Sequence, residues 1–293
     1  MKAPKTNDFY AQVEYLQNLG YRERRRVLWH QNKPRLRRYL YKFRAFDALD
    51  ATSVGRVRDI VLQCRLRLSP PGELNDPFDS AVKILIDGTP TEISQRLRPL
   101  LERRGMKWEE RRRETRRLLQ NLEEVALRAQ EAFRATIGNY GVCSFGGNSR
   151  SILAWSHYAL DHRGLALQFE TAQDIAVFGQ ALPVNYSKDY PVLNWVNETE
   201  RIVDVLLRKY QGWEYEDELR IVRPEEAGQF INFRPIALSG IIIGCSANEK
   251  TIDRLNDIIA ERKSLSLPPP RLYRAFTHES KFRLVLKIEK LKV

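Results

Sequence analysis

The stretch Trp213-Glu214-Tyr215-Glu216-Asp217-Glu218-Leu219-Arg220 sets four acids within five positions of an otherwise basic chain. Read as a β-strand, whose side chains alternate between faces, it brings Glu214, Glu216 and Glu218 together on one side. Adjacent like charges repel and raise each other's pKa, so a fold keeps such a row where a cation, a ligand or solvent relieves it. The segment is therefore the first candidate for chemistry. Its plain alternative is an edge strand whose acids are solvated or paired with the surplus arginines.

On the N-terminal side of this stretch, the spacing of Ile202, Val205 and Leu206 predicts a helix over residues 197–209. On the C-terminal side, residues 229–233 and 238–244 read as strands, and the unbroken run Ile241, Ile242, Ile243 fits a strand buried on both faces. An amphipathic helix over 248–262 and a stiff Pro268-Pro269-Pro270 follow, and 271–277 with 282–288 form a closing hairpin. Earlier in the chain, 40–44, 65–69, 140–145 and 164–169 read as strands, with helices over 53–64 and 152–160. Strands and helices interleave without a linker, repeat or low-complexity tract. The expectation is one α+β domain with a mixed sheet over residues 39–293.

Two basic segments elaborate that domain. Residues 1–38 read as a helical N-terminal extension, in which Phe9, Val13, Leu16 and Leu19 recur at helical spacing and Gly20 ends the helix. From Tyr21 to Arg44, ten basic residues stand against the single acid Glu23. Interleaved with Trp29, His30, Tyr39 and Tyr41, this block can grip phosphates and stack on bases, or be a solvated helix at the entry to the core. Residues 91–135 read as an inserted helical hairpin: a helix to Arg104, a break at Gly105 and a long helix from Trp108 to Arg134. Ten basic residues face four acids between Arg96 and Arg117. A positive arm over a polyanion is one reading, and an outer face laced by ion pairs one turn apart is the other.

The formal charge of +12 over 293 residues favours an anionic partner such as nucleic acid or a nucleotide. Cys64, Cys143 and Cys245 form no CxxC pair, which fits a reduced cytoplasm rather than a disulfide framework or a zinc site. No run approaches the roughly 20 apolar residues that span a bilayer, and the first residues lack a signal-peptide core, so a cytoplasmic protein is expected. Phosphate-loop, dinucleotide-fingerprint, HExxH, GxSxG and kinase motifs are absent. Any chemistry then falls to carboxylates, arginines, tyrosines and His157, although a lone histidine between Trp155 and Tyr158 is also an ordinary structural residue. In the loop 73–79, Asp76 and Asp79 can bind a metal or simply cap turns.

Six blocks, LYKFR (40–44), LSPPGELNDPFD (68–79), VCSF (142–145), LAWSHYALDHRGLALQF (153–169), KYQGWEYEDELRI (209–221) and GIIIGCSA (240–247), stand in an order that resembles the bacterial family called domain of unknown function 2971. That resemblance, which leaves out the first forty residues and the 91–135 insertion, carries no activity. It draws attention to Tyr41, Arg44, Asn75, Trp155, His157, Tyr158, Lys209, Glu216, Glu218 and Arg220, with Leu219 where the family usually has an aromatic. The chain is also similar to the ADP-ribosyltransferase superfamily, whose members place an Arg or His on an early strand, a Tyr or Ser in the middle and an ExE or QxE on a late strand, around a cleft in a split sheet. Arg44, then His157 or Tyr158, then Glu216 with Glu218 keep that order.

The second resemblance implies NAD as cofactor, no metal, and an ADP-ribosyltransferase-like or NAD glycohydrolase-like effector of the bacterial toxin or antiviral type. In that scheme Glu218 stabilises the oxocarbenium ion and holds a ribose hydroxyl, while Glu216 polarises the acceptor or a water. Arg44 pairs the pyrophosphate, Tyr158 or Trp155 stacks on nicotinamide, and Tyr41, Asn75 and Arg220 complete the cofactor site. The basic surface brings in a nucleic-acid or acidic protein acceptor. Two other classes stay open. One is a metal-dependent nuclease with magnesium on Asp76, Asp79, Glu216 and Glu218. The other is a non-enzymatic nucleic-acid-binding module in which the acids pair with Lys209, Arg220 and Arg223.

Overall fold

The computed structural model describes residues 9–30, 36–198 and 201–289, without the side chains of residues 9, 10, 29 and 30. Trp29, His30, Lys33 and Arg35 of the basic N-terminal block thus lie outside the described side chains. Helices α1 (Phe9–Gln17) and α2 (Tyr21–His30) open the chain, and their Val13, Leu16 and Leu28 pack with Leu36 on Ala172 and Ile175. Strand β1 (Tyr39–Arg44) leads into α3 (Ala51–Val61), which starts where the Asp50 carboxylate accepts the Thr52 N–H and which buries Val54, Val57, Ile60 and Val61. Short strands β2 (Arg65–Arg67) and β3 (Lys83–Leu85) bracket the acidic loop.

The insertion is three helices rather than a hairpin: α4 (Pro90–Arg103), α5 (Trp108–Leu119) and α6 (Leu122–Gly138). The long helix expected from Trp108 stops because the Asn121 side chain accepts the Glu124 N–H and caps a new helix. Its arginines are laced to acids, Arg98 to Glu102, Arg117 to Glu114 and Glu124, and Arg128 to Glu124. Ile93, Leu97, Leu101, Leu118 and Val125 form its own small core.

Then come β4 (Gly141–Gly146), α7 (Ile152–Tyr158) with Ser151 as its cap, and β5 (Leu165–Glu170). The next elements, α8 (Ile175–Phe178), β6 (Leu182–Pro183), β7 (Asn185–Ser187) and β8 (Val192–Asn194), fall in a stretch whose sequence carries no clear period. The helix expected over 197–209 shortens to α9 (Ile202–Leu206), and Lys209 joins β9 (Arg208–Tyr210). The chain continues through β10 (Glu218–Arg223), β11 (Phe230–Asn232), β12 (Leu238–Ile243), α10 (Glu249–Ser264), β13 (Arg271–Thr277) and β14 (Leu284–Ile288).

Eight strands form one mixed sheet in the order β14-β13-β12-β5-β1-β4-β10-β6, antiparallel except for β12 beside β13, which gives the α+β class. One face, with Leu40, Phe145, Leu167, Phe169, Leu219 and Ile241, is covered by α3 and α10; the other carries Phe43, Ala166 and Ile242 against Ala154 and Trp155 of α7. Ile241, Ile242 and Ile243 are buried, as a strand covered on both sides requires. Among the described residues no helix is long and apolar enough to cross a membrane.

The sheet is open at its centre. β1 pairs with β5 from Tyr39↔Glu170 to Arg44↔Leu165, and β4 pairs with β10 from Gly146↔Glu218 to Gly141↔Arg223. Between β1 and β4, however, the described register is the single pair Tyr41↔Gly146. Past it the strands part, and Lys42 reaches across to the Ser144 carbonyl at 2.8 Å. Gly164 holds the other side of β1, since a Cβ there would stand 2.2 Å from the Arg44 carbonyl oxygen. Gly164→Ala is therefore expected to lower the urea midpoint by an amount worth on the order of 2 kcal/mol, as overpacking against backbone does.

Candidate active site

The opening between β1 and β4 is a cavity of about 210 Å³. Tyr41 and Phe43 line it from one face of β1, and Lys42 and Arg44 from the other, so the cavity lies within the gap rather than on either surface of the sheet. Asn75, Asp79, Tyr158, Lys209, Glu216, Glu218 and Arg220 stand in the remaining walls beside residues of β4 and the loop that carries Glu73.

The acidic stretch reaches this cavity by a route that period-two alternation does not describe. Residues Gln211–Glu216 form a 3-10 turn, Asp217 sits in the left-handed region at φ 46°, and the strand starts only at Glu218. The turn is drawn out of the sheet by its aromatics. Trp213 Nε1 donates to Asp76 Oδ2 at 2.6 Å, and the Trp213 and Tyr215 rings pack on His157 at 5.9 and 6.1 Å. At the reversal the Gly147 N–H donates to the Asp217 carbonyl at 2.8 Å, and Arg37 pairs with the Asp217 carboxylate at 2.6 Å. The three-glutamate row is thus replaced by a different arrangement: Glu214 is exposed, and Glu216 and Glu218 meet because both accept from one ammonium.

That ammonium is Lys209 Nζ, 2.6 Å from Glu216 Oε2 and 2.8 Å from Glu218 Oε2. Arg220 Nε donates to Glu218 Oε1 at 2.8 Å, and its two other nitrogens grip Asp79 at 2.5 and 2.8 Å. Tyr158 Oη donates to Glu216 Oε1 at 2.6 Å and accepts from Asn75 Nδ2 at 2.9 Å. The network therefore sets three carboxylates, Asp79, Glu216 and Glu218, against two cations, Lys209 and Arg220. Glu216 carries the imbalance. Burial, with Glu218 adding to it against Lys209, raises the Glu216 pKa, whereas Arg220 and Lys209 outweigh the burial of Glu218 and hold its carboxyl at about 2. Two neighbouring carboxyls with pKa values pushed apart are the usual mark of divided acid and base roles.

The opposite end of the cavity is cationic. Lys42, on the core face of β1 over the Phe145 ring, has its pKa lowered by burial. Arg44 also has its pKa lowered, by burial first and then by Arg56 and Arg67 nearby, and its Nε is buried with no hydrogen-bond partner among the described residues. An anion entering here meets a guanidinium that forms no ion pair among the described residues.

Of the residues singled out in sequence, Arg44, Tyr41, Asn75, Tyr158, Glu216, Glu218 and Arg220 line one cavity. Four assignments change. Trp155 is fully buried, with Nε1 donating to the Ser149 carbonyl at 2.8 Å and its ring against Phe43, so no nicotinamide can stack on it. His157 is exposed and packs on Trp213 and Tyr215 outside the cavity wall, apart from the groups that line the cavity. Arg220 spends its donors on Asp79, Glu218 and the Leu206 carbonyl, and holds carboxylates in place of a cofactor. Glu218 has both oxygens engaged by Arg220 and Lys209, so neither is left free for the role the resemblance implies.

The four acids considered for magnesium are likewise spoken for: Asp76 accepts from Trp213, Asp79 pairs with Arg220, and Lys209 stands between Glu216 and Glu218. Among the described residues no group of three or more His, Cys, Asp or Glu is arranged to hold a metal ion. Sequence reasoning passed over Lys42. Its signal was present: Leu40, Lys42 and Arg44 share one face of β1, and a lysine two residues from a core leucine is unusual enough to mark.

Removing one partner of a buried pair leaves an uncompensated charge, so Arg220→Met is expected to cost about 3–5 kcal/mol in urea unfolding, while exposed Glu214→Gln stays within about 0.5 kcal/mol. The depressed Glu218 pKa has a signed consequence. Its stabilisation is present above the ordinary value of 4.5 and is lost as the pH falls toward about 2. Urea midpoints measured across that window should fall steeply for the native chain and less steeply for Glu218→Gln. In comparisons with known proteins, no family model, no curated protein and no solved structure matches the chain.

Proposed function

We propose that the chain is an NAD-consuming enzyme, ADP-ribosyltransferase-like or NAD glycohydrolase-like, acting in the bacterial cytoplasm as a toxin or antiviral effector. The observation that carries this reading is a cavity in a split sheet with Arg44, which forms no ion pair among the described residues, at one end and the Tyr158–Glu216 pair at the other. A dinucleotide substrate has matching ends: an anionic diphosphate, and a sugar that becomes positive when its bond to nicotinamide breaks. The bonding electrons leave with the ring nitrogen, which neutralises the pyridinium. The developing oxocarbenium charge favours a nearby carboxylate.

Glu216 fills that role better than Glu218. It belongs to the network with one carboxylate in excess, and of its partners Tyr158 is a neutral phenol able to give way. Once ionised, Glu216 sits beside the cationic sugar, then takes the proton of the hydroxyl or water that forms the new C–O bond. Lys209 and Asn75 fix the geometry, and Arg44 with Lys42 binds phosphate. Because Glu216 is needed as the anion and its pKa is raised, activity should rise with pH along a limb lying above the ordinary 4.5.

The test is nicotinamide release from NAD by the purified protein, with and without nucleic-acid and acidic-protein acceptors. Glu216→Gln should lower kcat by at least about 100-fold, as loss of a general base does. Arg44→Ala should act mainly on KM, and Glu214→Gln should change neither. Absence of both NAD binding by calorimetry and turnover with every acceptor would overturn the proposal.

A further inference from the structure

A second cavity, of about 390 Å³, lies on the far side of Lys209 and shares that residue with the first. Its walls carry Phe78, Tyr190 and Tyr210, which are 62%, 49% and 53% exposed. Aromatic rings of this size gathered in one recess and left open to water mark a contact surface rather than a core. Lys188, Arg208 and Lys209 stand among them against the single acid Asp189, and the Arg208 Nε is buried with no hydrogen-bond partner among the described residues.

The rings are held in place. β7 and β9 pair in parallel with Ser187 opposite Tyr210, which sets the segment after Ser187 beside Arg208 and Tyr210. The Tyr210 ring lies against the backbone at Gly212, where a Cβ would come within 2.7 Å of it. Phe78 stands on a turn fixed at both ends, since its own N–H donates to Asp76 Oδ1, Asp76 is held by Trp213, and Asp79 is clamped by Arg220. A phenylalanine that projects into solvent from so constrained a turn has no packing role to explain it. Preorganised rings lose little conformational freedom on stacking.

We infer that this second cavity takes an unpaired base of a single-stranded nucleic acid, stacked on Phe78 and Tyr210, with the adjoining phosphates on Arg208 and Lys188. Flat apolar faces interleaved with cations suit a strand that offers a π-face and a negative charge at every nucleotide. The +12 balance of the chain favours the same partner over an apolar peptide. Binding there calls on neither Glu216 nor Arg44, so it can be measured apart from NAD turnover although Lys209 borders both cavities.

The experiment titrates the full chain into short single strands of DNA and of RNA that carry a central 2-aminopurine, at low and at moderate salt. Quenching of the 2-aminopurine with a salt-dependent affinity is expected, and the stronger of the two arms names the sugar. Phe78→Ala and Tyr210→Ala should each weaken binding roughly tenfold or more, as loss of a stacking ring does. Gly212→Ala, which displaces the Tyr210 ring, should weaken it in the same direction, and Lys188→Gln with Arg208→Gln should flatten the salt dependence. Circular dichroism and the NAD assay on these variants separate a folding failure, or a failure of the NAD reading, from loss of the base site. Equal binding by all variants would place the strand elsewhere on the basic surface and overturn the inference. So would no binding of either strand, or a cavity that takes an apolar peptide and no nucleotide.

Discussion

Arg220 is wholly buried at 0% exposure, and a guanidinium keeps its proton under any ordinary condition, so the surrounding structure is organised to compensate one charge that cannot be removed. Asp79 arrives from the loop after β2, Glu218 from the same strand two residues earlier, and the Leu206 carbonyl from the end of α9. Two distant segments, the loop after β2 and the end of α9, are thereby tied to β10. Lys209 extends the arrangement to Glu216, and Tyr158 carries it on to α7 and to Asn75. Replacing such a cluster by apolar side chains is often neutral or stabilising in other folds, so stability alone does not account for it.

The same constraint accounts for the shape of the sheet. β4 and β10 pair along their length and carry the cluster, whereas β1 pairs along its length with β5 and has with β4 the single described register pair Tyr41↔Gly146. A closed ladder between β1 and β4 would fill the space that Lys42, Arg44 and the carboxylates share. The gap leaves a polarised cavity, negative toward Glu216 and positive toward Arg44, within a sheet whose two faces are otherwise covered by α3, α10 and α7. Low-dielectric walls sharpen both ends, raising the pKa of Glu216 and lowering those of Lys42 and Arg44.

Much of the fold was legible because burial imposes a period. The apolar run at Ile241–Ile243, the helical spacing of Val54, Val57, Ile60 and Val61, and the closing strands 271–277 and 284–288 all follow from which residues must leave water. The errors fell where a local hydrogen bond decides instead. Asn121 ends one helix and begins another, and Trp213 abandons the strand pattern to reach Asp76. Neither contact has a period. The stretch between β5 and β9 consists of elements two to five residues long, too short for periodicity to register.

By itself, the sequence determined the α+β class, the basic balance and about half of the residues that line the cavity, among them carboxylates, tyrosines and an arginine, because composition and hydrophobic period are properties of the chain. Which of those residues are available at the cavity was decided by tertiary structure alone. Trp155 and Arg220 look like binding residues until burial removes them, His157 until its exposed packing does, and Glu216 and Glu218 look equivalent until Arg220 takes one of them. The reason is electrostatic. A side chain's protonation and availability depend on the charges and the solvent around it, and for Glu216 those are set by Lys209 and Tyr158, brought to it across 7 and 58 positions of sequence.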